Sequence, residues 1–139
     1  MFKNSEGYAD PTAGSAMNQI MKEYRQQQKK RYADKNRRKI YVASRYAGDV
    51  DANVKAAIGY CRLVIDKGYM PIASHLLYCQ TLNDNDPDER ELGLMFGLAL
   101  LNLCDEVWVF GAVSPGVAQE IEEAKRLNKR LRYFEGVGV

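Results

Sequence analysis

The chain has a single histidine and only three cysteines in 139 residues. Cys61, Cys79 and Cys104 form no CxxC pair, so neither a zinc cage nor a disulfide framework is expected, and they read as reduced thiols of a core. Nothing in the pattern asks for a metal or a cofactor. Long apolar runs are also missing. The longest, Leu92 to Cys104, is shorter than the roughly 20 residues that cross a bilayer and is broken by Gly93, Gly97 and Asn102, so no membrane span is expected. Met1 to Asp10 carries Lys3, Glu6 and Asp10 without an apolar stretch, so no secretory leader is expected and a cytoplasmic protein is.

What the chain does have is enough apolar content, 46%, to bury one core of ordinary size. Its formal charge of +2 conceals an asymmetry: residues 1–39 carry ten Lys or Arg against four Asp or Glu, and residues 40–139 carry ten against fourteen. The basic character belongs to an N-terminal arm, residues 1–38. Within it Met17, Ile20, Met21 and Tyr24 recur at helical spacing, which predicts a helix over Ser15 to Asn36 that packs on the domain or on a second subunit. No RRM, KH or helix-turn-helix signature accompanies the charge, so nucleic acid is not the expected partner. Residues 1–14 read as poorly ordered.

From residue 39 the pattern changes to alternating strands and helices. Lys39 to Ser44 reads as a β-branched and aromatic strand followed by the polar loop Arg45 to Asp49. Asp51 is placed to cap a helix in which Val54, Ala57, Ile58, Cys61, Val64 and Ile65 recur, with Gly68 as its stop. Tyr69 to Ala73 reads as a second strand weakened by Pro71 and leading into a loop at Ser74-His75. Asp86-Pro87-Asp88-Glu89 opens a helix running to about Cys104, apolar almost all round and therefore expected to be covered by protein. Glu106 to Phe110 is a third strand, Ser114-Pro115 starts a helix to about Asn128, and Leu131 to Phe134 is a fourth strand. The order βαβαβαβ over residues 39–139 predicts an α/β domain with an open, mostly parallel sheet, flavodoxin-like or Rossmann-like, carrying an extra N-terminal helical arm.

Such sheets bind ligands beyond the carboxyl ends of their strands. Ser44, Arg45, Tyr46, Gly48 and Asp49 follow the first strand, Ser74 and His75 the second, and Ser114 and Gly116, within Val113 to Gly116, the third. A helix that starts at Ser114 with Gly116 just inside it offers free N–H groups and close approach to an anion. Glu120 lies one turn further on the same face, and helical side chains lean toward the N-terminus. Each residue also has a plainer role: Ser114-Pro115 as an ordinary helix start, Glu120 as part of a charged face with Glu122 and Glu123, His75 as a structural histidine, Arg45 and Tyr46 as surface loop.

Three segments resemble the nucleoside 2-deoxyribosyltransferase superfamily, which includes deoxynucleoside 5′-monophosphate N-glycosidases and small phage and bacterial members. They are Lys39 to Gly48, Gly68 to His75, and Cys104 to Phe110 followed by Ser114-Pro115-Gly116-Val117-Ala118-Gln119-Glu120. The last is similar to the family's S-x-G-x-x-x-E signature, whose glutamate is the nucleophile. The G-G-x-G-T-x-x-E signature of the related phosphoribohydrolases is absent.

The resemblance implies cleavage or transfer at the N-glycosidic bond of a nucleoside or deoxynucleoside 5′-monophosphate. Glu120 would attack the anomeric carbon, Ser44, Arg45, Gly48, Asp49, Ser114 and Gly116 would hold phosphate or sugar, Tyr46 would stack on the base, and His75 would orient a polar group. It also implies a homodimer or larger homo-oligomer. One position departs: family enzymes usually place an aspartate about eight residues before the one aligned with Asp105, to protonate or orient the base, and here that position is Gly97. Asp88, Glu89 or Glu91 could replace it only if the fold brings them in. A non-catalytic nucleotide-binding protein, sequestering or sensing, is the alternative that Gly97 favours.

Overall fold

The structure is a computed structural model that describes residues 11–135. The chain divides into two compact units at Arg37–Arg38. The first is one helix, α1 (Pro11–Lys35), which opens on the proline rather than at Ser15. Of the segment expected to be poorly ordered, residues 1–10 lie outside the described residues. Along α1, Lys30 pairs with Asp34 at 2.8 Å and Gln19 donates to Glu23 at 3.1 Å, one turn apart in each case. Its apolar residues Ile20 and Tyr24 are more than half exposed.

The second unit follows the order β1 (Lys39–Ser44), α2 (Val50–Asp66), β2 (Met70–Ile72), α3 (Ser74–Tyr78), α4 (Pro87–Asn102), β3 (Glu106–Phe110), α5 (Pro115–Arg126), β4 (Arg130–Phe134). All strand pairs are parallel, in the spatial order β2-β1-β3-β4. The chain moves outward from β1 in one direction to β2 and in the other through β3 to β4. The direction of winding therefore reverses between β1 and β3, and a crevice opens above their carboxyl ends, Ser44 and Phe110, which are paired in register.

Side chains alternate across the sheet and build two cores. Tyr41, Ala43, Val107 and Val109 face α4 and α5 and meet Leu101, Val117, Ile121 and Ala124. Ile40, Val42, Trp108 and Phe110 face α2 and meet Tyr60 and Val64. At the opposite end of the sheet Asp105 ties β3 to β1, accepting from the Lys39 N–H at 2.7 Å. Buried Glu106 accepts from the Trp108 indole at 3.2 Å and is flanked by Arg38 and Arg130 at 3.6 and 3.8 Å. A buried carboxylate is tolerable there because it has both a donor and countercharge.

Several local expectations are corrected. Asp49, not Asp51, caps α2: its Oδ1 accepts from the Ala52 N–H at 3.2 Å, so the helix begins two residues earlier than its apolar pattern suggested. Ile58 and Ile65 of that helix are exposed, and Tyr60 takes the buried place instead. The second strand shrinks to three residues, consistent with the donor that Pro71 lacks, and Ser74-His75 is the first turn of α3 rather than a loop. Helix α4 stops at Asn102 and α5 at Arg126, each a little short of its expected end. Within the single chain α4 is not covered all round: Gly97 and Leu101 are buried, while Leu92, Met95 and Phe96 are 37–44% exposed.

The capping assignment is testable by denaturant unfolding. Asp49→Ala should cost about 1 kcal/mol, and Asp51→Ala, which removes only a charge in the first turn, a few tenths.

Candidate functional site

The loop after β1 is shaped by its own side chains. Asn53 donates from Nδ2 to the carbonyls of Tyr46 and Ala47, both at 3.0 Å. The Arg45 Nε–H donates to the Ala47 carbonyl at 3.1 Å, which folds the guanidinium back over Gly48. Gly48 has φ +102°, so the turn needs glycine for conformation; the Arg45 Nη2, which would lie 3.2 Å from a Cβ there, is the end of a flexible side chain that can give way. Arg45 is exposed along its own loop, and the Asp49 carboxylate is engaged as the helix cap.

A cavity of about 190 Å³ lies between this loop, α3, the start of α4 and the start of α5. Of the residues singled out in the sequence, Tyr46, His75 and Gly116 line it. Ser44 is buried behind them with its Oγ 3.4 Å from His75 Nε2, and the His75 and Tyr46 rings lie 5.7 Å apart. Burial holds the His75 imidazole below its usual 6.5, so the ring is neutral at physiological pH. Ser114 caps α5, its Oγ accepting from the Val117 N–H at 3.3 Å. Pro115 has no N–H to offer and Ala118 bonds the Ser114 carbonyl. The Gly116 N–H is thus the first-turn donor that helix geometry leaves free beside the cavity.

Ser74, which follows the second strand together with His75, lines the cavity as well, and Tyr78, which was not singled out, enters it because α3 is a helix where a loop was expected. Of the three carboxylates held in reserve, Glu89 reaches the cavity wall, next to Arg90, whose Nε and Nη2 donate to the Asp84 carbonyl at 3.1 and 2.9 Å.

Glu120 lies one turn beyond Gly116. Its Oε2 is buried without a hydrogen-bond partner. Burial pushes its carboxyl up to about 7, and the Tyr41 hydroxyl acts in the opposite sense. Tyr41, fully buried, shares a 2.8 Å hydrogen bond with Ser74 Oγ, and its own ionisation is pushed well upward by burial and then by the Glu120 charge. Gly97 closes the cluster. A Cβ at that position would stand 3.2 Å from both Ser74 Oγ and Tyr41 Oη, so the two hydroxyls occupy the space a larger side chain would need. Tyr41 was legible as a strand residue, but no sequence signal marked its hydroxyl as part of a site. Among the described residues no group of His, Cys, Asp and Glu could hold a metal ion, and no helix is long and apolar enough to cross a membrane.

Residues 38–134 match the family model described as Domain of unknown function (DUF7768). The chain belongs to that family. No curated protein matches it in sequence. Among solved structures, a 2-deoxyribosyltransferase from the psychrotolerant bacterium Bacillus psychrosaccharolyticus is similar, with a TM-score of 0.58 and 18% identity, over 73% of this chain and 74% of that one. At this identity the likeness is one of fold, and it places this DUF7768 member on a 2-deoxyribosyltransferase-like, flavodoxin-like scaffold.

The buried carboxyl makes a prediction about stability. Between about pH 4.5 and 7 the folded chain keeps the Glu120 proton that the unfolded chain has lost, so raising the pH destabilises the fold. The effect is at most about 3 kcal/mol, reached above pH 7. Glu120→Gln should remove this pH dependence, so that its stability relative to the wild-type chain is greater at pH 8 than at pH 4.5 in urea titrations.

Proposed function

We propose that the protein cleaves, or transfers a sugar at, the N-glycosidic bond of a nucleoside or deoxynucleoside 5′-monophosphate, with Glu120 as the nucleophile. The observation that carries this reading is the Glu120 carboxyl: buried, without a partner on Oε2, raised toward neutrality, and one turn behind a helix start that borders the cavity. A carboxylate so placed is desolvated for attack on an electrophilic carbon, and its ester with C1′ is shielded until an acceptor enters. The cavity suits one heterocycle with its sugar rather than a polymer, and the Tyr46, His75 and Tyr78 rings offer it apolar walls. The fold likeness to a 2-deoxyribosyltransferase supports the same reaction class.

In the proposed reaction a Glu120 oxygen forms a bond to C1′, the C1′–N bond breaks with its electron pair going to the base, and water or a second base then displaces the carboxylate. Ser114 and Gly116 support a phosphate or sugar oxygen at the α5 start. Arg45 joins them by turning away from the Ala47 carbonyl, an exposed bond that is easily exchanged for a phosphate. The second reading, nucleotide binding without turnover, is favoured by Gly97, which leaves the usual position without its carboxylic acid, while Glu89 at the cavity wall is the carboxyl that could take its place in the first reading.

Incubation with a panel of nucleosides and 5′-monophosphates, with free base read by chromatography, tests the reading. Glu120→Gln should lower base release by two or more orders of magnitude while nucleotide binding persists. Equal release by variant and wild-type chain overturns the nucleophile; binding without release by either establishes the second reading. A 5′-monophosphate should bind more tightly than its nucleoside in calorimetric titration, and the difference should shrink in Arg45→Ala and at higher salt. Equal dissociation constants would remove the phosphate seat.

A further inference from the structure

Helices α1 and α4 each carry an exposed face that is apolar over one half and charged over the other, and the two charges are of opposite sign. On α1, Met17, Ile20, Met21 and Tyr24 are 38–56% exposed. Residues 25–35 then hold five Lys or Arg against one Asp, and Arg31 and Lys35 continue the apolar face at helical spacing. Ile20, Glu23, Tyr24 and Gln27 frame a shallow hollow at the i, i+3, i+4, i+7 spacing of a hole that receives a partner's side chain. On α4 the order is reversed. Residues 84–91 hold five Asp or Glu against one Arg, and that residue, Arg90, is turned to Asp84. Beyond them Leu92, Met95, Phe96 and Leu103 are exposed, with Asp88 one turn before Leu92 on the same face.

We infer that α1 of one copy of the chain packs antiparallel on α4 of a second copy, and that the exchange is reciprocal. Met17 then meets Leu103, Tyr24 meets Phe96, and Arg31 and Lys35 reach the acidic start of α4. The lengths agree, since Met17 to Arg31 and Leu103 to Asp88 are each about 21–22 Å of helix. The same chain cannot supply this contact. Helix α4 ends three residues before Asp105, whose carboxylate accepts from the Lys39 N–H, and α1 ends four residues before Lys39. Those four steps span at most about 14 Å, whereas the start of α4 is about 24 Å from its end. An α1 laid on its own α4 would run parallel to it, with cations on Leu103 and apolar side chains beside Asp88 and Glu91. The other helices match the arm less well. Ile58 is exposed on α2 between Lys55 and Arg62, which repel a basic helix, and Glu122 and Glu123 of α5 are paired with Lys125 and Arg126. Two copies that exchange arms about a two-fold axis cover both α1 and both α4 faces and leave nothing to propagate. The seat adjoins the cavity: Phe96 packs on Tyr78, a residue of its wall, with ring centroids 5.1 Å apart.

Two charge-reversed chains test the pairing by analytical ultracentrifugation. The wild-type chain should sediment as a dimer at micromolar concentration. Asp88→Lys with Glu91→Lys in one chain, and Arg31→Glu with Lys35→Glu in another, should each raise the dissociation constant about tenfold or more, because like charges then face each other. Mixed in equal amounts, the two variants should form a heterodimer within about threefold of wild-type affinity, since each arm meets an α4 of opposite sign on the other chain. All four positions are exposed and none lines the cavity, so far-UV circular dichroism should match the wild-type chain. Ile20→Asp with Tyr24→Asp should also dissociate the dimer. A monomeric wild-type chain, a dimer that any of these variants leaves intact, or a mixture that stays monomeric overturns the pairing.

Discussion

A phenol with no exposure to water must satisfy its hydroxyl inside the protein, and Tyr41 does so at the middle of the molecule. It is a central residue of the central strand, paired in register with Val107 of β3 and Ile72 of β2, and its side chain projects into the core shared with α4 and α5. Much of the local structure follows from that one hydroxyl. Ser74 must present its oxygen at the start of α3 to meet it. Glycine at residue 97 leaves room for the two oxygens under α4, where a Cβ would press on both at 3.2 Å. Glu120, arriving from α5 on the same side of the sheet, meets a polar group in a wall that otherwise consists of valine, alanine and leucine. A phenylalanine at position 41 would pack as well and would leave Ser74 and Glu120 without a common neighbour.

The sheet order makes this arrangement possible. With β1 and β3 adjacent at the centre, the loops that leave them diverge, one toward α2 and the other toward α5, and the ground between them is left open. Short α3 then forms the remaining wall where β2 ends early. Strand β2 ends at Ile72 and α3 starts two residues later, which sets Ser74 and His75 at the cavity wall.

Strands β1 and β3 were readable to the residue because each is a compact run of β-branched and aromatic side chains bounded by charged or polar neighbours. The capped start of α4 was equally plain, since Asp86 and Pro87 combine two independent signals. Glu120 and Gly116 could be picked out because four residues on a helix is one turn, a relation that spacing encodes directly. The Tyr41–Ser74 pair could not, because its partners lie 33 residues apart and meet through the sheet register rather than through any local pattern. Asp49 and Asp51 are both able to cap a helix. The choice between them depends on the backbone of the loop, which Asn53 and Gly48 determine from either side. Exposure of α4 was misjudged because hydropathy reports that a surface resists water, and says nothing of whether the same chain supplies its cover.

The two edges of the sheet differ from its centre in a way that limits how copies of the chain can associate. One edge, β2, is three residues long and has proline in the middle, so it offers a neighbouring strand almost no ladder to extend. The other edge, β4, carries Arg130 beside Glu106 and Arg132 over the Trp108 and Phe134 rings, so two cationic side chains flank the ladder that a second strand would have to extend. Growth of the sheet from molecule to molecule is therefore obstructed at both ends. Edge-to-edge extension of the sheet is disfavoured, which leaves the helical faces as the surfaces open to a second copy.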